Sequence, residues 1–223
     1  ELLYGKFNPA AENVVIKIPI NTRINESEGI DYEGLKTTKK LSQKGIPINV
    51  TLIMTPEQAL LAAKAGASYA SPFAGRIDDY IRKKSGIEFG KGDYFDFDLM
   101  KKIGKQRLDK RLKNSGSKPV GPLYLDQETK NSIGFGQDNG IESGVDLVKS
   151  IMKIYRNYEI KTEVIAASIR NARQIRQMAE AGAHIATIPF PVIRGMLQHP
   201  KTVEGIKNFS ADVVPEYREL FQS

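Results

Sequence analysis

INVTLIMTPEQALLAAKAGASYASPFAGRIDD, residues 48 to 79, decides the fold. Ile48 to Ile53 is short and apolar enough to be a buried strand. Thr55 and Pro56 then supply a capping hydroxyl and a ring suited to the first helical turn. "QALLAAKA" continues as a helix, and Gly66 stops it. Ala67 to Phe73 is apolar again and reads as the next strand. A strand, a helix and a second strand in that compass make a parallel crossover.

The same rhythm extends outward in both directions. Upstream, Val14 to Ile20 reads as a strand, and Gly34 to Lys44 as a helix closed by Gly45. Downstream, Ile141 to Tyr155 has helical periodicity and Glu163 to Ala167 reads as a strand. Asn171 to Ala181 is a helix closed by Gly182, Ala183 to Pro189 a fifth strand, and Val192 to Gln198 and Val203 to Phe209 further helix. The strands are apolar without alternation, as strands covered on both faces are. Short connections ending in Gly suit a (β/α) barrel of the TIM type. An open doubly wound sheet is the alternative. No G-x-G-x-x-G follows a strand, so no dinucleotide site is expected.

Composition narrows the chemistry. The chain has no cysteine, which excludes disulfides and thiolate metal sites, and only two histidines, His184 and His199. No metal and no cofactor are expected. No apolar run reaches the roughly 18 residues of a membrane span. The expectation is a cytoplasmic protein without a membrane partner.

Residues 82 to 140 break the rhythm. Residues 82 to 135 hold 13 of the 33 Lys/Arg and 7 of the 26 Asp/Glu, and so carry +6 of the net charge of +7. The segment reads as an insertion within a single domain spanning 1 to 223. It has a basic helix of its own in "LMKKIGKQRLDKRLKN". Its charge reads as a solvated face, with recruitment of a phosphorylated ligand or acidic partner as the alternative. Asp93, Asp96 and Asp98 flank the aromatics Tyr94, Phe95 and Phe97 and repel phosphates, so nucleic acid is not the expected partner.

Candidate site residues sit at strand ends. In "VVIKIPI", residues 14 to 20, Lys17 interrupts an apolar run. Burial there disfavours an ammonium and leaves a neutral amine, a nucleophile that condenses with carbonyls to a Schiff base. Asn49 and Thr51 share one face of their strand, while Val50 and Leu52 are expected to face the helices. Ser71 ends a strand, Phe73 follows, and Arg76 lies in the next turn. Ser168 and Arg170 stand between a strand end and a helix start, where donors and positive charge suit a phosphate. A barrel gathers such positions at one mouth.

"VVIKIP", the block from 46 to 79, "VIAASIRN" and "HIATIPF" resemble the transaldolase family, including its small fructose-6-phosphate aldolase-like members. The resemblance covers about 14 to 81 and 141 to 212 and leaves the insertion out. It implies a (β/α)8 barrel in which this sequence supplies strands 4 to 8. It also implies transfer of a dihydroxyacetone unit between sugar phosphates, such as sedoheptulose 7-phosphate and glyceraldehyde 3-phosphate. Lys17 would then be the Schiff-base lysine. Asn49 and Ser71 would bond the bound unit, and Thr51 would help hold a water used in proton transfer. Phe73 would wall the pocket, and Arg76, Ser168 and Arg170 would bind phosphate. His199 takes no catalytic role and is expected at a helix end.

The sequence departs from the family in three places. The connection "NTRINESEGIDYEG" after the Lys17 strand is long, and so is the segment 82 to 140; both are expected to leave strand C-terminal ends and reach the mouth. Only 16 residues precede Lys17, where each βα unit takes roughly 30. The first three strands, with the first-strand aspartate that handles protons, are therefore expected to lie in a longer parent protein. Five units leave two open sheet edges, an association hazard that makes a homo-oligomer a candidate state. Two alternatives stay open. One is aldolase-type cleavage of fructose 6-phosphate. The other is an inactive fragment that binds an acidic partner through the basic insertion.

Overall fold

The computed structural model describes residues 1–23, 31–116, 121–122, 126–133 and 140–212. They fall in two compact units, Glu1–Ile188 and Pro189–Ser223.

The first unit is built on five strands: β1 (Ile16–Pro19), β2 (Ile48–Ile53), β3 (Tyr69–Pro72), β4 (Glu163–Ala166) and β5 (Ile185–Ala186). Neighbours are parallel throughout, and the strands lie in chain order. Parallel neighbours need crossovers, and helices supply them. α1 (Leu2–Ala11) precedes β1, α2 (Glu33–Ser42) follows β1, α3 (Pro56–Lys64) follows β2 and α4 (Ala74–Lys84) follows β3. α5 (Phe97–Asn114) and α6 (Gln127–Ile133) come next, then α7 (Gly144–Asn157) before β4 and α8 (Ala172–Ala181) after it. A parallel sheet in sequential order, each strand followed by a helix, is the wall of a (β/α) barrel. Among the described residues β1 and β5 form its two edges.

Local chemistry explains the elements. Thr55 Oγ1 accepts the Gln58 N–H at 3.2 Å and caps α3. Ser143 caps α7 and Asn171 caps α8 in the same way. Gly66 and Gly182 adopt the left-handed backbone (φ 92° and 84°) that ends α3 and α8 and turns the chain toward the next strand. Ile48, Val50, Ile53 and Val164 of the strands, Leu147, Val148 and Ile151 of α7 and Met178 of α8 are all buried in the core. Each such side chain contributes about 1.5–3 kcal/mol when fully buried. The buried Tyr155 hydroxyl donates to the Ala59 carbonyl at 2.7 Å and joins α7 to α3.

Three expectations are corrected here. Leu52 does not face the helices: it is 37 % exposed, with φ 59°. A bulge shifts the β2–β3 register between Val50 and Ile53, so Ile53 takes the buried place that alternation assigns to Leu52. The fifth strand is shorter than Ala183 to Pro189. The His184 imidazole accepts the Val164 N–H through Nδ1 at 3.0 Å, which takes a ladder place from the backbone. Finally, the segment 82 to 140 does not leave a strand end. It begins inside α4, whose residue Arg82 is buried, and continues into α5 and α6. Asp96 caps α5, and Arg111 joins it to α6 through Asp126 (3.1 Å) and Glu128 (2.6 Å). Of the connection after β1, residues 24–30 lie outside the described residues.

The second unit contains α9 (Phe190–Met196) and α10 (Pro200–Ala211). His199 stands at a helix end as expected: its Nδ1 accepts the Lys201 N–H at 3.1 Å and caps α10.

Candidate active site

Parallel pairing sets the first part of the site. Lys17 of β1 is in register with Asn49 of β2, and partners in register point to the same face. The Ser71 hydroxyl of β3 donates to Asn49 Oδ1 at 2.7 Å, so the face continues from amine to amide to hydroxyl across three strands. Thr51 lies two residues beyond Asn49, opposite Pro19. Its Oγ1 is buried and has no partner among the described residues. Such a hydroxyl costs about 1–3 kcal/mol unless something else bonds it.

The expected burial of Lys17 is corrected. Its side chain is exposed, because β1 is an edge strand and no described residue covers it on this face.

The second part of the site gathers around the start of α4. Phe73 precedes the helix without a side-chain cap and makes an isolated parallel bridge to Ala167. Arg76 is exposed, and its guanidinium lies 4.8 Å above the Phe73 ring. Gly75 sits against the β4–α8 turn: a Cβ there would collide with the Ser168 carbonyl oxygen and meet the Arg170 side chain. This close approach brings Ser168 and Arg170 beside the residue that precedes Arg76. Ser168 itself holds φ 64°, an uncommon conformation for a residue with a side chain. Arg170 is not a free cation. Its Nη2 donates to Asp79 Oδ2 at 2.7 Å.

Sequence reasoning passed over Asp78, Asp79 and Gln174. Asp78 is 2 % exposed. It accepts the Gly144 N–H at 2.7 Å and the Gln174 amide at 2.6 Å. Burial pushes its carboxyl up to about 6, while these two donors pull the other way. Gln174 Oε1 in turn accepts the Arg170 N–H at 2.7 Å. A signal was present: Ala74, Ile77, Asp78, Ile81 and Arg82 repeat at helical spacing, which puts Asp78 on the buried face of α4. The segment after α4 reaches the same place. The Arg82 guanidinium lies over the rings of Phe89 (4.8 Å) and Phe95 (5.4 Å) and donates to the Asp93 carbonyl at 2.8 Å. The Asn171 amide donates to Gly92 and Asp93 carbonyls at 3.2 and 3.3 Å.

The two parts have different chemistry: an amine beside hydrogen-bonding groups, and a pair of arginines at a turn and an uncapped helix start, suited to an anion. Among the described residues no three carboxylate or imidazole groups converge as metal ligands. No described helix is long and apolar enough to cross a membrane.

The family model described as transaldolase/fructose-6-phosphate aldolase matches residues 3–118 and 120–222. The chain belongs to this family. A probable transaldolase of Caldicellulosiruptor saccharolyticus is 38 % identical over 202 residues, covering 90 % of this chain and 61 % of that protein. Probable transaldolases of Desulforamulus reducens (36 % over 200 residues, 90 % and 60 %) and Herpetosiphon aurantiacus (34 % over 213 residues, 95 % and 65 %) are similar in the same way. The chain thus spans about three fifths of the length of the curated relatives it matches. The transaldolase family match also runs through the segment 82 to 140, which the sequence resemblance left out. The family's (β/α)8 barrel accounts for the sequential parallel sheet, of which the described residues form five strands.

Proposed function

We propose that this chain carries the imine-forming lysine and the phosphate-binding groups of a transaldolase-type enzyme. The Lys17 amine adds to the C2 ketone of a ketose phosphate, and loss of water gives the imine. The imine withdraws electrons as the C3–C4 bond breaks. The C4 hydroxyl gives up its proton and departs as an aldehyde phosphate. The three-carbon enamine of dihydroxyacetone stays on Lys17. Its C3 attacks the carbonyl of an acceptor aldehyde phosphate, and hydrolysis of the new imine frees the ketose and the amine. Asn49 and Ser71 bond the hydroxyls of the three-carbon unit. Thr51 holds the water that carries protons. Phe73 walls the pocket, and Arg76, Ser168 and Arg170 receive the phosphate.

The observation that supports this reading is the register of Lys17 with Asn49, whose amide is bonded to Ser71. Borohydride reduction in the presence of fructose 6-phosphate tests it. The peptide containing Lys17 is expected to gain the mass of the reduced three-carbon or six-carbon adduct. An adduct confined to other lysines refutes the assignment. The family description also covers fructose-6-phosphate aldolases, which favours a second reading, release of free dihydroxyacetone. Product analysis with and without an aldose phosphate acceptor separates the two.

A further inference from the structure

Arg170 is fastened at two levels. Its backbone N–H is held by Gln174 Oε1, and Gln174 is held by Asp78. Among the described residues its side chain is held by Asp79: one bond, Nη2 to Oδ2 at 2.7 Å, with both side chains 24 % exposed. A guanidinium is a rigid plane with five N–H donors, so fixing one corner leaves only rotation about that bond. Gly75 leaves room for this placement, because a Cβ there would meet the Cγ and Nε of Arg170.

The pair is incomplete. Arg170 Nε and Asp79 Oδ1 are both buried, and neither has a partner among the described residues. A fork-to-fork arginine–carboxylate pair would satisfy both atoms with a second bond. Here the carboxylate takes one corner and leaves donors unused, beside the residue that precedes Arg76.

We propose that Asp79 is a positioning residue for phosphate recognition. It holds the Arg170 fork by one corner, so that the remaining N–H groups meet the phosphate of a phosphorylated substrate. This rests on the reading of Arg170 as a phosphate ligand. It adds that the affinity for phosphate depends on a carboxylate that never touches it. A carboxylate so close to an anion would ordinarily weaken binding by repulsion. Orientation outweighs that repulsion, because an unfastened arginine loses rotamer freedom each time it binds.

The test measures binding of inorganic phosphate to the chain by 31P line broadening, beside borohydride trapping. Asp79→Asn keeps the shape and removes the charge. It is expected to weaken phosphate binding about tenfold. Trapping by fructose 6-phosphate should need about tenfold more ligand, while trapping by unphosphorylated dihydroxyacetone stays unchanged. Asp79→Glu retains the charge on a longer stem and is expected to recover most of the affinity, which a purely steric role would not predict. It also keeps the question answerable if the Asn variant does not fold. Phosphate binding that is equal or tighter in Asp79→Asn overturns the proposal, as does no phosphate binding by the unaltered chain. Asp79-dependent phosphate binding without any adduct on Lys17 supports this inference and removes the Schiff-base reading alone.

Discussion

The Gly144 N–H donates to Asp78 Oδ1 at 2.7 Å, across 66 positions of sequence. The bond joins the start of α7 to α4, and Gln174 brings α8 to the second oxygen of the same carboxylate. A Cβ at Gly144 would collide with the Ala74 carbonyl, so the two helices meet backbone to backbone. One buried carboxyl thus organises three helices beside the turn that carries Ser168 and Arg170.

That carboxyl makes stability depend on pH. Burial raises it from 3.8 to about 6, so the native chain holds the proton more tightly than the unfolded chain. The contribution is full below the unfolded value and is lost as pH rises through the folded one. Its size is about 3 kcal/mol, from a shift of roughly two pH units. Denaturant unfolding at roughly pH 4 and pH 7.5 should therefore show the difference between the unaltered chain and Asp78→Asn changing by about that amount. Parallel pH profiles for the two proteins contradict it. At the higher pH the variant is also expected to be less stable by about 1–3 kcal/mol. Its amide turns a donor toward either Gly144 or Gln174, and Gln174 cannot reverse because its oxygen is engaged by Arg170.

Gly75→Ala opposes helix propensity to packing. In an open helix the change stabilises by about 1 kcal/mol. At Gly75 the new methyl meets the backbone oxygen of Ser168, which cannot rotate aside. A net loss of about 1–3 kcal/mol is expected, with weaker phosphate binding as the turn shifts. Gly5 of α1 is the control: nothing lies within 4 Å of its added Cβ, so Gly5→Ala should stabilise. Thermal melts of the two variants moving in the same direction refute the contact.

The order of elements was legible because it is written in short range. Ile48 to Ile53, the Thr55 cap and the Gly182 stop each depend on residues within a few positions. Facing was less legible. Leu52 departs from alternation because a bulge depends on how β2 meets β3, and Lys17 is exposed because cover on a strand comes from distant elements. The candidate site was legible by residue type at Asn49 and Ser71, which do meet. The carboxylates that organise it were not, since Asp79 finds Arg170 across 91 positions and no local pattern announces such a partner.

Lys17→Arg separates chemistry from folding. Lys17 is exposed and lies at the sheet edge, so the substitution should leave the unfolding midpoint within about 0.5 kcal/mol of the unaltered chain. Arginine keeps the charge but stays protonated and forms no imine. Borohydride with fructose 6-phosphate should then label the variant no more than a chain without substrate. Retained labelling would assign the imine to another lysine.

Thr51→Val sets stability against activity at one atom. Valine matches threonine in shape and replaces the buried, unpartnered Oγ1 with a methyl group. If that hydroxyl served only the fold, its removal would be neutral or harmful. An unsatisfied hydroxyl kept for a bound water predicts the reverse: stability rises by about 1 kcal/mol, because a buried polar group without a protein partner is removed. Imine formation on Lys17 should slow by about 10- to 100-fold as the proton-carrying water is lost. Denaturant midpoints and the rate of borohydride-trapped adduct, measured on the same preparation, give both numbers. A variant that is less stable and equally reactive would return Thr51 to an ordinary structural role.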